Sequence, residues 1–242
     1  MRRFFSFSMR TFWILCCFLV GAATAAGQSV NAQTGQDSVV NPRYFEDQFY
    51  VGLTYNLLLN RPAFLSQNNV SYGLLMGFIK DIPINSSRTW ALGIGVGYGV
   101  NSYYSNLRAV QSGDQISYLD ADQTVPYKRN KLETHLVELP LEVRWRNSTA
   151  SDYSFWRIYT GIKFSYIVGS RSKFVGDTFT DSFYNTDTEN LQYGLTLSVG
   201  YNTFNLHAYY GLNNLFEKGV TGPSGNPLDL TALRVGFIFY IL

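Results

Sequence analysis

The chain has 242 residues and a formal net charge of +2, with 17% aromatic but only 15% charged side chains. That length holds one large or two small domains, the charge balance offers no basic stripe of the kind nucleic acid requires, and charged residues fall well below the usual quarter. Once the N-terminus is set aside, no apolar run approaches the roughly 20 residues of a membrane helix.

In chain order, Arg2, Arg3 and Arg10 precede the greasy stretch from Thr11 to Val20, and Ala23-Thr24-Ala25 follows. A positive start, a short apolar centre and small residues read as a cleavable signal peptide over 1–26, with Met9 an equally serviceable start. Both cysteines, Cys16 and Cys17, lie inside it and lack the preceding small residue of a lipoprotein signal. The mature chain then has no thiol for disulfides, catalysis or metal. Residues 27–46 are polar and read as a flexible periplasmic segment, and 47–242 as the folded domain.

Period-2 alternation bounded by turn residues predicts eight strands in that domain. The first covers Phe49 to Leu57 and the second Val70 to Phe78. The third sets Trp90, Leu92, Ile94, Val96, Tyr98 and Val100 against Ala91, Gly93, Gly95, Gly97 and Gly99. Alternate side chains face opposite sides of a strand, so one face is wholly apolar and the other nearly bare. Glycine is a poor solvent face because it leaves the backbone loose. The pattern suits a strand whose greasy face meets lipid and whose bare face adjoins a crowded lumen. The fourth strand covers Val137 to Trp145, the fifth Trp156 to Val168, the sixth Leu191 to Tyr201, the seventh Phe204 to Leu212, and the last Leu233 to Leu242. Pro140 in the fourth removes a ladder donor and predicts a bulge or a local break.

Two independent regularities support an all-β fold, an eight-stranded antiparallel up-and-down transmembrane barrel. Connectors after even strands are short (Asp81–Ser87, Asn147–Tyr153, Asn202-Thr203), whereas those after odd strands are longer, the longest running from Ser102 to Lys131. Short periplasmic turns and long outer loops are the rule in bacterial barrels. At the short-turn end the outward residue is Phe49, Phe78, Trp90, Trp145, Trp156, Tyr201, Phe204 or Phe239, an aromatic girdle. A second row comprises Tyr55, Tyr72, Tyr98, Tyr166, Tyr193 and Tyr210. The expected location is the bacterial outer membrane, with lipid as a contact and both termini periplasmic. The ending Arg234-Val-Gly236-Phe-Ile-Phe239-Tyr-Ile241, one residue short of the terminus, resembles the signal by which the barrel-assembly machinery recognises its clients.

The same parity turns Glu138, Glu142, Arg144, Arg157, Lys163, His207 and Arg234 inward, with Tyr159 among them. A barrel of eight strands is just wide enough for side chains to fill, so an ion-paired interior network is expected, either as packing alone or as a gated polar conduit. No catalytic, cofactor or metal site is expected, and no nucleic-acid partner. A hydrolase of the lipid A deacylase kind needs His with Ser and a carboxylate near the outer rim; His135 lies there but faces outward. The loop acids Asp114, Asp120, Asp122, Asp177, Asp181, Asp187 and Glu189 match no cation-binding spacing and read as solvated surface. The sequons at Asn69, Asn85 and Asn147 read as chance.

Four stretches, Glu46 to Asn56, Leu136 to Arg146, Phe155 to Lys163 and Gly236 to Leu242, resemble the PorT-type barrel proteins of Bacteroidota. The Glu138-Leu-Pro-Leu141 core is shared by the broader group of small Bacteroidota barrels; Phe155-Trp-Arg157 and Phe239-Tyr-Ile-Leu242 point to the PorT type. The resemblance covers nearly the whole mature chain and implies association with type IX secretion, which exports surface proteins and gliding adhesins. It implies partners among periplasmic or outer-membrane secretion proteins and no catalytic residues. The competing reading is a small structural, adhesive or weakly pore-forming outer-membrane barrel.

Overall fold

The computed structural model describes residues 47–147, 156–201 and 204–241. The signal peptide and periplasmic segment expected over 1–46, the turn after Asn147, the Asn202-Thr203 turn and Leu242 lie outside the described residues. Eleven strands follow one another: β1 (Asp47–Leu59), β2 (Tyr72–Pro83), β3 (Trp90–Tyr104), β4 (Leu107–Ser112), β5 (Gln115–Asp120), β6 (Tyr127–Arg146), β7 (Trp156–Gly176), β8 (Thr180–Tyr184), β9 (Leu191–Tyr201), β10 (Phe204–Gly211) and β11 (Thr231–Ile241). Eight of them, in the order β6-β3-β2-β1-β11-β10-β9-β7, form one sheet that the β6–β7 pairing closes into a ring. Closure leaves the eight staves without free edges, the condition for crossing hydrocarbon, where an unpaired backbone group has no water to bond.

All eight predicted strands are present, each at its predicted place. Alternation explains them. On β1, Phe49, Val51, Leu53 and Tyr55 are exposed while Gln48, Tyr50, Thr54 and Asn56 are buried. The outside is the apolar face and the inside the polar one, the reverse of a soluble sandwich. Register is continuous: Phe49 lies opposite Phe78 on one side and Ile241 on the other, so both ends of the barrel chain leave from the same rim.

Pro140 is accommodated by a break rather than a bulge. On the β3 side the pairing stops at Ile94↔Leu141 and resumes at Gly97↔Glu138 in the same register. On the β7 side Pro140 stays paired with Lys163. The bulges between these two strands lie farther out, at His135/Leu136 and Tyr127/Arg129.

The structure differs from the sequence reading in its long connections. The 102–131 stretch, read as one loop, is consumed by longer β3 and β6 strands, the β4–β5 hairpin turning at Gly113 (φ 63°), and a 3-10 turn over Ala121–Gln123. β6 and β7 reach 20 and 21 residues. A tilted membrane strand needs about 9–11, so this pair projects as a ribbon beyond the apolar belt. β8 pairs along the projecting part of β7.

Candidate functional site

The lumen is built from inward residues of every stave, and room for them comes from glycine. A Cβ on Gly97 would lie 2.1 Å from the Tyr50 Oη, one on Gly77 2.5 Å from the same atom, and one on Gly93 2.9 Å from Arg144 Nε. The bare face of β3 is thus the socket into which the large side chains of β1 and β6 fold.

Toward the short-turn rim the contents are ionic. Arg144 sits at the centre: its Nη1 donates to Gln48 Oε1 at 3.0 Å and to Asp81 Oδ1, and its Nε to Glu142 Oε2 at 2.9 Å. Its guanidinium lies 4.2 Å from the Tyr159 ring centre and 5.0 Å from that of Tyr240. Arg146 reaches the second Asp81 oxygen at 3.3 Å and donates from Nε to the Arg88 carbonyl at 3.0 Å. One step farther in, Lys163 donates to Glu138 Oε2 at 3.0 Å, and Arg234 lies 3.5 Å from Glu138 Oε1. Arg234 also donates to the Tyr103 hydroxyl at 3.2 Å. His207 Nδ1 is 2.8 Å from Ser198 Oγ. Thr54, Asn56 and Asn101 form a neutral relay at 2.8 and 3.2 Å.

All seven inward residues named from the sequence are buried: Glu138, Glu142, Arg144, Arg157, Lys163, His207 and Arg234. The structure joins Glu142 to Arg144, and Glu138 to Lys163 and Arg234; Arg157 lies at the rim opposite Arg146. Arg144, Tyr159 and Glu138 each expose 1% of their surface, which a water-filled bore through this level would not allow. Sequence reasoning missed Asp81, which is wholly buried and pairs with both arginines. It was read as the first residue of a turn. The missed signal is parity: Ser71, Gly73, Leu75, Gly77, Ile79 and Asp81 share one face, and all but Gly77 are buried.

Toward the other rim the contents change. Leu58, Leu65, Ala109, Tyr118, Leu215, Phe216, Leu228 and Leu230 form a buried apolar cluster with Tyr103 and Tyr209. The long connections supply most of it and fold it over the barrel mouth. Its polar fastening is the Tyr118 hydroxyl, which donates to Asn185 Oδ1 at 3.2 Å, while Asn185 Nδ2 donates to Ser172 at 2.9 Å. Burial pushes the Tyr118 phenol up from its ordinary value, outweighing the opposing hydrogen bond from Asn185.

The outward aromatics of the short-turn rim lie side by side. Phe49, Trp90, Trp156, Tyr201 and Phe204 are exposed, and Phe78, Trp145 and Phe239 half-buried. Trp90 is the direct cross-strand partner of Trp145, and ring centres lie 5.3 Å apart in the Phe49–Phe78 and Trp156–Tyr201 pairs. His135 is half-exposed, with Nδ1 2.7 Å from the Tyr98 hydroxyl and Nε2 3.6 Å from Glu133. Ser102 donates to Glu133 rather than to His135, so the trio lacks the serine–histidine bond of a nucleophilic triad. Asp120 caps the 3-10 turn and accepts from Asn106, and Asp122 accepts from Tyr127. Among the described residues no three His, Cys, Asp or Glu side chains converge as a metal site.

A family model described as outer membrane protein beta-barrel domain matches residues 31–217. No curated protein matches the chain. Among solved structures, Ail, the attachment invasion locus protein of Yersinia pestis, is 12% identical, over 80% of this chain and 97% of its own, at a TM-score of 0.32. A triple mutant of the Rhodopseudomonas blastica porin is 8% identical, over 82% of this chain and all (100%) of its own, at a TM-score of 0.20. Likenesses this remote carry no argument beyond the family match and the closed ring of strands.

Proposed function

The chain belongs to the family of the outer membrane protein beta-barrel domain, and from that premise we propose that it is an accessory of type IX protein secretion, acting through protein contacts and not by conduction or catalysis. The observation that carries the reading is the filled lumen: Arg144, Asp81 and Glu142 close one level and Glu138, Lys163 and Arg234 the next. With the bore occupied, the surfaces left for work are the lipid-facing belt, the projecting β6–β7 ribbon and the connections at either rim. The PorT-type resemblance of Glu46 to Asn56, Leu136 to Arg146, Phe155 to Lys163 and Gly236 to Leu242 supplies the machine.

In this reading the short-turn rim and both termini face the periplasm, as two ends leaving one rim allow. The 27–46 segment then touches periplasmic secretion partners, and the barrel-assembly machinery inserts the chain. Deleting the gene tests the proposal: unprocessed cargo accumulates in the periplasm, and capture from solubilised membranes recovers other secretion components. Normal export in the deletion strain, with solute leakage from liposomes carrying the purified protein, would establish the pore-forming alternative instead.

A further inference from the structure

We propose that the outward face of the β6–β7 ribbon binds the phosphates of a glycolipid headgroup in the surrounding leaflet. The inference concerns lipid, not secretion, but it rests on the orientation given above, with the long connections outermost.

The outward row of Tyr98, Val137 and Tyr166 runs across β3, β6 and β7 as the upper aromatic row of the belt, with Val168 exposed just above it on β7. Above it the same face turns cationic. β6 contributes His135, Glu133, Lys131 and Arg129; β7 contributes Arg171 and Lys173. Cross-strand partners are Glu133 with Arg171 and Lys131 with Lys173. Glu133 is the one carboxylate in the patch, and Lys131 already holds it. Arg171 spends its Nε on the neutral Ser182 hydroxyl at 2.7 Å. Among the described residues, neither Arg129, Arg171 nor Lys173 lies within ion-pair distance of a carboxylate.

Two ammonium groups placed directly opposite on a ladder repel each other, and a bound anion reverses the sign of that interaction. Height identifies the anion. At about 3.3 Å per residue on a strand tilted by about 40°, Arg171, opposite Glu133, and the Lys131–Lys173 pair stand roughly 10 and 15 Å above the tyrosine row. A phospholipid headgroup layer is only about 5–8 Å deep, so these cations overreach it. A phosphorylated sugar headgroup is taller and brings its charges to their level. Arginine and lysine reach such phosphates by charge-assisted hydrogen bonds.

The test uses the full-length mature protein refolded in neutral detergent and probed by native mass spectrometry with bisphosphorylated lipid A. Wild type retains the lipid. The triple variant Arg129→Gln, Arg171→Gln, Lys173→Gln loses affinity by about fivefold for each charge, roughly a hundredfold in all. Lys218→Gln, on the β10–β11 connection, leaves it unchanged. Unchanged gel mobility of the unheated variants establishes that each is folded. Dephosphorylated lipid A binds no better to wild type than to the triple variant. The proposal is overturned if the triple variant binds like wild type, if dephosphorylated lipid binds as well, or if inorganic phosphate displaces the glycolipid. Equal retention of phosphatidylglycerol would place this rim in the other leaflet and sink the orientation together with the glycolipid assignment, while leaving the secretion phenotype to its own test.

Discussion

The two halves of the lumen solve the same packing problem with opposite chemistry. Near the short-turn rim, Arg144, Arg146, Asp81 and Glu142 balance two positive against two negative charges in a space walled by tyrosines. Near the other rim, leucines, tyrosines and a phenylalanine form an ordinary apolar core. The difference follows from who supplies the residues. The inner half is lined only by staves, whose outward side chains must be apolar for lipid, so polar side chains accumulate on the remaining face. The outer half is roofed by connections exposed to water, and it can fold as soluble domains do, by withdrawing apolar surface. The first half specifies geometry through directional pairs; the second contributes burial.

That contrast can be broken experimentally. Arg144→Ala leaves Asp81 and Glu142 buried beside a lost partner, a change costing about 3–5 kcal/mol. Urea titration of the barrel in detergent, followed by the gel shift between folded and boiled forms, is expected to show this loss for the whole molecule. Leu230→Ala removes a fully buried side chain from the outer cluster, a change worth about 2–5 kcal/mol in a core. Its effect should be local: faster protease cleavage in the 212–230 connection, with the urea midpoint of the barrel little changed. A midpoint shift as large as that of Arg144→Ala would mean that the two halves unfold as one.

Gly97→Ala sharpens the role of the glycine socket. The added methyl collides with Tyr50, and such overpacking costs about 1–3 kcal/mol. Pairing it with Tyr50→Phe, which deletes the colliding hydroxyl, should recover part of the loss; no recovery would place the strain elsewhere. The smallest expected effect belongs to Tyr118→Phe, which removes one hydrogen bond to Asn185, about 0.5–1.5 kcal/mol, within the outer cluster. The same phenol gives that cluster a pH limit. Its folded form, buried away from water, holds the proton more tightly than an ordinary tyrosine phenol does. Its contribution is therefore complete below about pH 10 and declines as pH rises further, because the unfolded chain then releases the proton. Protease sensitivity of the outer connections should rise in alkali for wild type and not for the phenylalanine variant.

The eight staves were legible because lipid on one side and a crowded lumen on the other impose strict alternation, which Trp90 to Val100 displays without a single exception. Asp81 was hidden by a conflict between two rules: an aspartate two residues before Pro83 reads as the start of a turn, while its parity reads as lumen. The outer cluster was not legible at all. Leu215, Leu228 and Leu230 lie in a connection without periodicity, and their burial depends on distant partners such as Leu58 and Tyr118. Short β4, β5 and β8 were missed for the same reason, since five or six residues are too few for alternation to stand out.

The empty face of β3 also sets the electrical surroundings of Arg144. Where Gly93 lies beneath the guanidinium, the β3 main chain alone lies against that cation, and the apolar side chains of Leu92 and Ile94 face the hydrocarbon beyond it. A medium that polarises so little screens weakly, and attraction between Arg144 and its two carboxylates is strengthened accordingly. The thin wall of the barrel therefore makes lipid an unseen participant in the cohesion of its ionic centre.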